Sequence, residues 1–249
     1  MYWTTRPRRS YRGRMAVTSP APVRPEKPVA QGFPRRLWAS TVGKKAVMAV
    51  TGAILFGYLL AHMIGNLTIF FGDIDGYGVF LRRLLAPVLG YGGLVWVIRA
   101  VLVLAVVLHM TAAIQLARRS ARARPVGYAK RPRAQGGYAA RTMRWGGVII
   151  ALFVGYHLLD LTAGVLNPHG VDGQIHANVV ADFRHWYVVA AYTLAVVALG
   201  FHLRHGLWSG LRSLGRAPSR SAAAALVVAL VITIGFLSVP YAVLFGIVR

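Results

Sequence analysis

The chain has no cysteine, and only six of its 249 residues are acidic. Without cysteine this subunit forms no disulfide, attaches no c-type haem and offers no thiolate to an iron–sulfur cluster. The shortage of acid against 29 lysines and arginines leaves a formal net charge of +23. In a soluble protein that balance would point to nucleic acid. Long polar stretches are also scarce beyond residue 45, so no soluble domain fits between the apolar segments.

What is present is five apolar runs: Ala46–Phe71, Leu94–Ala117, Trp145–Leu166, Trp186–Trp208 and Ala222–Ile247. Each meets the roughly 20 residues a helix needs to cross a bilayer core of about 30 Å. The expected fold class is therefore all-α, an integral membrane bundle of five transmembrane helices. The basic residues explain themselves once the topology is drawn. Eleven precede or occupy position 45, nine lie in the 118–144 loop, and Arg204, Arg212, Arg216 and Arg220 flank the fourth and fifth runs. Asp73, Asp75, Asp160, Asp172 and Asp182 fall toward the opposite side. This positive-inside pattern predicts a cytoplasmic N-terminus and a C-terminus outside. It accounts for the charge by topology and anionic lipid, leaving no need for nucleic acid as a partner.

Residues 1–45 read as a basic, Pro/Arg-rich mobile cytoplasmic tail, and 46–249 as the membrane domain. The Arg-rich start also has the character of an organellar transit peptide. The Ala/Val/Arg/Gly-heavy composition favours a bacterial plasma membrane. No cleavable signal peptide is expected, since the first apolar run is too long and too far in. The basic 118–144 loop, with Tyr128 and Tyr138, is a candidate docking surface, although a solvated topology signal would explain the same charge. The connection at 72–93 is turn-rich with room for a short helix; that around 167–183 carries Asn167, Pro168, Gly170 and Gly173. Trp145, Trp186, Tyr187 and Trp208 lie at run ends, where an interfacial aromatic belt is expected.

Four of the runs each contain a histidine: His62, His109, His157 and His202. An ionisable side chain in hydrocarbon is costly and marks a site by default. A single such His is as often a packed hydrogen-bonder; four on four spans suggest paired ligands. Helical rise converts sequence into depth. His62 and His157 stand 17 and 13 residues beyond Lys45 and Arg144, roughly 20–25 Å from the cytoplasmic edge. His109 and His202 stand 9 and 10 residues before Arg118 and Arg212, roughly 14–15 Å from that edge. The four therefore separate into an outer pair, His62 and His157, and an inner pair, His109 and His202. No carboxylate cluster or third ligand accompanies either pair, whereas zinc takes four ligands, or three and a water. Haem takes two axial nitrogens in an apolar slot, which small residues such as Ala105, Ala198 and Gly65 help to open. His205, one turn from His202, is the open alternative ligand. His169, His176 and His185 belong to the outer connection, with a minor proton-relay role as the alternative to plain exposure.

The motifs around these histidines resemble the five-helix, dihaem cytochrome b558 anchor subunit of succinate dehydrogenase (respiratory complex II) of menaquinone-using bacteria. The matching stretches are Leu60-Ala61-His62-Met63-Ile64-Gly65-Asn66, Leu108-His109-Met110, Tyr156-His157-Leu158 and Phe201-His202-Leu203-Arg204-His205-Gly206-Leu207-Trp208-Ser209. The last is the most specific, because the family's His precedes a Gly-Leu-Trp-Ser run by four residues. That favours His202 over His205. The likeness covers approximately residues 40–249, and the 123–145 stretch has an actinobacterial look.

The resemblance implies two haem b groups with His62/His157 and His109/His202 as iron ligands. It also implies flavoprotein and iron–sulfur subunits docked on the cytoplasmic face, and a quinone, by family type menaquinone, reduced near the outer haem. The subunit would transfer electrons without itself oxidising succinate. Quinone reduction needs protons, so Asp73, Asp75, Tyr77 and Asp160 are candidates on the outer side. Asp160, three residues after His157, could instead cap a helix end or orient a neighbour. Arg99, Arg118, Arg144 and Arg184 are candidate propionate partners or snorkelling interface residues. Alternatives are the membrane cytochrome of a fumarate reductase, hydrogenase or formate dehydrogenase, and a haem-free anchor whose histidines are structural or complete a mixed His/Cys iron–sulfur centre. A transporter is disfavoured by the absence of a clear repeat.

Overall fold

The computed structural model describes residues 32, 35, 38–123, 137–213 and 218–249. The tail before residue 32 and the 124–136 part of the basic loop lie outside the described residues. Among the described residues there is no strand, and five helices are long and apolar enough to cross a membrane: Thr41–Phe71, Gly93–Arg122, Thr142–Thr162, Trp186–Arg212 and Arg220–Leu244.

Helix α1 (Thr41–Leu67) begins where the Ser40 hydroxyl accepts the Gly43 amide at 2.8 Å, an N-cap that satisfies one of the free donors of the first turn. It tightens into a 3₁₀ turn, Thr68–Phe71, and stops at Gly72 with φ 72°, a left-handed conformation that glycine adopts without steric penalty. The connection to the next span folds as α2 (Ile74–Arg83) and the single turn α3 (Ala86–Leu89). Gly92, also left-handed at φ 77°, starts α4 (Gly93–Arg122).

Helix α5 (Gly137–His157) keeps α geometry only as far as its histidine. The apolar run continues to Leu166, but the chain widens into a π turn over Leu158–Thr162, with the Ala163 amide donating to the Leu158 carbonyl at 2.7 Å. The span ends at Thr162, four residues short of what hydropathy alone predicts, and Gly164 turns the chain at φ 69°. The connection after α5 contains a helix that its turn residues conceal, α6 (Ile175–Phe183). Helices α7 (Trp186–Ser213) and α8 (Pro218–Leu244) complete the bundle.

Packing runs in an arc: α4 on α1, α1 on α8, α8 on α7, and α7 on α5. Small residues set the close approaches. Gly200 of α7 faces the Thr233 hydroxyl on α8, and Gly235 of α8 faces the Met63 thioether on α1. The densest core lies at one end, where Ile69, Ile74, Val179, Val180, Phe183, Val189, Tyr192 and Val243 meet. It therefore draws α6 and α2 down onto the spans. Elsewhere the helices turn large apolar side chains outward, as membrane-facing surfaces do (Val103, Leu152 and Ile234 are examples).

Candidate histidine centres

The arc turns the four intramembrane histidines toward one another in two pairs. His62 of α1 and His157 of α5 have ring centroids 5.9 Å apart, at 75° between planes. His109 of α4 and His202 of α7 stand 6.3 Å apart, at 56°. His205 instead packs beside Trp208 at 5.8 Å, one turn away.

Behind the rings the two pairs are built differently. His109 Nδ1 lies 3.1 Å from the Met48 carbonyl and 3.3 Å from the Thr51 hydroxyl, which itself donates to Val47 at 2.7 Å. A carbonyl only accepts, so Nδ1 carries the hydrogen and Nε2 is left with its lone pair. Gly52, on the same α1 face, comes so near that a Cβ there would stand 3.3 Å from His109 Cε1. Gly147 of α5 lies beside His202 in the same way, at 3.9 Å. The Nδ1 atoms of His202 and His205 are buried and have no hydrogen-bond partner.

The His62/His157 pair is enclosed by aromatic rings: Tyr58 stacks on His62 at 5.4 Å, Phe236 approaches at 5.8 Å, and Phe153 stacks on His157 at 5.9 Å. His157 Nδ1 lies 3.2 Å from the Tyr192 hydroxyl, which donates to Asp160 Oδ2 at 2.9 Å. Asp160 is wholly buried, held inward by the π turn. Asp182, from α6, is buried beside it within hydrogen-bond reach. Desolvation, with the Asp160 carboxyl next to it, pushes Asp182 up from 3.8 to about 8.

The other sequence candidates separate into two kinds. Asp73 and Asp75 are exposed at the start of α2, where Asp75 Oδ1 accepts the His176 amide at 3.0 Å and ties α2 to α6. Tyr77 is half-buried with its ring laid over Gly65, in the space a side chain would need. Neither aspartate is hydrogen-bonded to the four paired histidines; Asp160 connects to His157 through Tyr192. Arg99 lays its guanidinium over Trp96 at 4.8 Å. His169 Nε2 meets the Gln174 amide oxygen at 2.7 Å in the connection before α6.

Four contributors escaped sequence reasoning: Gly52, Gly147, Tyr192 and Asp182. A signal for the glycines exists. Gly52 precedes His62 by ten residues, as Gly147 precedes His157, so α1 and α5 each pair a glycine at one depth with a histidine about 15 Å away. Nothing local marks Tyr192 or Asp182, which meet Asp160 only through tertiary packing.

Among the described residues no group of three or more His, Cys, Asp or Glu is placed to hold a metal ion. The donor set at each level is two imidazoles. With metal–nitrogen bonds of about 2.0–2.1 Å and ring centres on the order of 1 Å behind each nitrogen, two imidazoles holding one metal centre would have centroids up to about 6 Å apart. The spacings at both levels are of that order. Comparison with protein-family models, curated proteins and solved structures finds no match for this chain.

Proposed function

We propose that this chain is a dihaem cytochrome b membrane anchor of a succinate:menaquinone oxidoreductase in a bacterial plasma membrane. The observation that carries the reading is the pair of imidazole spacings, 5.9 and 6.3 Å, each bridging two different spans. Haem b at each level would supply one-electron redox chemistry, linking an iron–sulfur partner on the cytoplasmic side to a quinone on the other.

The protein's own residues prepare both levels. The Met48 carbonyl, by taking the Nδ1 hydrogen of His109, leaves Nε2 as the donor atom. Gly52 and Gly147 keep side chains out of the space beside the His109/His202 pair. Tyr58, Phe153 and Phe236 line the other pair with rings that exclude water. The positive-inside charge pattern supports an orientation in which the His109/His202 pair would lie nearer the flavoprotein and iron–sulfur subunits, and the His62/His157 pair nearer the quinone. Asp73, Asp75 and Tyr77 lie on the quinone side in this orientation, with Asp160 the buried acid closest to the histidines.

The test is a dithionite-reduced minus oxidised spectrum of the purified complex. Two b-type haems are expected, His202→Ala removing one and His62→Ala the other. No haem absorbance, or both haems surviving both substitutions, overturns the reading. Copurifying flavoprotein and iron–sulfur subunits reducible by succinate separate this assignment from the cytochrome of a hydrogenase or formate dehydrogenase.

A further inference from the structure

The hydrogen bonding behind His157 ends in ionisable groups, whereas that behind His109 ends in backbone. We propose that Tyr192 is a positioning residue for His157, and that the Asp160–Asp182 acid pair behind it sets, through a shared proton, how strongly His157 donates to a metal ion. The role rests on the reading of His62 and His157 as haem ligands.

The hydrogen count gives the direction. A tyrosine hydroxyl has one hydrogen, and that of Tyr192 goes to Asp160 Oδ2 at 2.9 Å. Toward His157 Nδ1, 3.2 Å away, the same oxygen must therefore accept. Nδ1 carries the hydrogen, and Nε2 keeps the lone pair a metal needs. A carboxylate one bond further back strengthens the imidazole as a donor.

Asp160 Oδ1 and Asp182 Oδ2 are each buried without a hydrogen-bond partner, and the two carboxyl groups lie within hydrogen-bond reach of each other, an arrangement that one proton held between them would satisfy. The raised Asp182 value keeps that proton in place at neutral pH. The groups facing the pair are Tyr156 from α5 and Tyr192 from α7, with Tyr187 beyond Tyr156. Helix α6 contributes Val179, Val180 and Phe183; α8 contributes Val239, Ala242 and Val243; the 3₁₀ turn contributes Ile69. Tyr241 turns its hydroxyl to Thr193, His185 stacks on Tyr187, and Arg184 is exposed. Among the described residues the one ion pair is Arg82 with Asp172, so neither acid of the pair is neutralised by a cation.

As the pH rises past about 8 the shared proton leaves to water and the acid pair gains a negative charge. The Tyr192 hydroxyl, polarised by that charge, accepts more strongly from His157 Nδ1 and makes the imidazole a better donor at Nε2; with the proton in place it is the weaker donor. No covalent bond other than O–H and N–H changes. Strong donation favours the oxidised ion, so the potential at the His62/His157 level rises as pH falls. The Met48 carbonyl behind His109 binds no proton, so that contact does not change with pH.

The test is spectroelectrochemical titration of the purified complex between about pH 6 and pH 9, the range spanning the Asp182 value. One centre is expected to shift with pH, up to about 59 mV per tenfold change in proton concentration at full one-electron coupling, and the other to hold still. Tyr192→Phe keeps the ring, which meets Phe153 and Phe183 edge-on at 4.8 Å each. It should raise the potential of the pH-sensitive centre and flatten its slope; Asp182→Asn should flatten the slope with Tyr192 in place. Equal slopes at both centres, or an unchanged slope in Tyr192→Phe, overturn the proposal. Infrared titration of the full chain reads the acid pair without haem: a protonated-carboxyl band should disappear on raising the pH past about 8 and be missing in Asp182→Asn. Absence of that band overturns the relay even with both haems present. A preparation with the band but no haem absorbance overturns the parent reading, and with it the role assigned to Tyr192.

Discussion

The two histidine levels solve one geometric problem with different materials. At His109/His202 the chain uses backbone and emptiness: a carbonyl behind one ring, and glycines at 52 and 147 beside the pair. At His62/His157 it uses a wall of aromatic rings and a buried acid pair. A backbone carbonyl has one protonation state across the accessible pH range and an acid pair does not. The contact behind His109 is thus insulated from pH, and the one behind His157 is tied to it.

The sharpest way to break the contrast is to fill the space at 52. Gly52→Leu adds a side chain where a Cβ already comes within 3.3 Å of the His109 ring, so it should displace the imidazole and abolish cofactor absorbance at that level alone. Gly57→Leu on the same helix meets open space and should leave both levels intact. Loss of both levels in Gly52→Leu would show that the two do not assemble independently.

The next largest effect is on stability against pH. Asp182 is raised from 3.8 to about 8, so between those values the folded protein holds a proton the unfolded chain has released. That stabilisation is fully present below the lower value and is lost as pH rises through the higher one. The thermal midpoint in detergent should therefore fall from about pH 5 to pH 9, and Asp182→Asn should remove much of the slope. A midpoint that rises over this range would contradict the shared proton.

Smaller effects follow from single hydrogen bonds. Asp75→Ala deprives the His176 amide of its acceptor and should cost about 1 kcal/mol, read as faster proteolysis of the outer connection with both levels unchanged. Thr51→Val removes one of two contacts to His109 Nδ1 while the Met48 carbonyl remains. It should cost less than about 1 kcal/mol and leave the spectrum in place.

Some of this was legible along the chain. Five spans follow from apolar length, and the depth of each histidine from helical rise; the residues grouped by depth are the ones whose rings stand 5.9 and 6.3 Å apart. Other elements were hidden. The π turn after His157 is invisible to hydropathy, since Leu158, Leu161 and Ala163 suit an unbroken helix equally well. Helix α6 lies behind the glycines and proline of its own loop. Asp160 was noticeable as an acid within a span, but its partner Asp182 sits 22 residues on, in what reads as an outer loop.

By itself the sequence determined that this chain is a bundle of five membrane-length helices, four of them carrying a histidine at a definite depth and the fourth a second one, His205, a turn from His202. Those properties depend on local quantities, apolar length and rise per residue. Which ring faces which, what stands behind each Nδ1, and the burial of two acids side by side were decided only in the tertiary structure. They depend on the rotation of each helix about its axis and on the docking of α6, and both are set by packing between segments far apart in the chain.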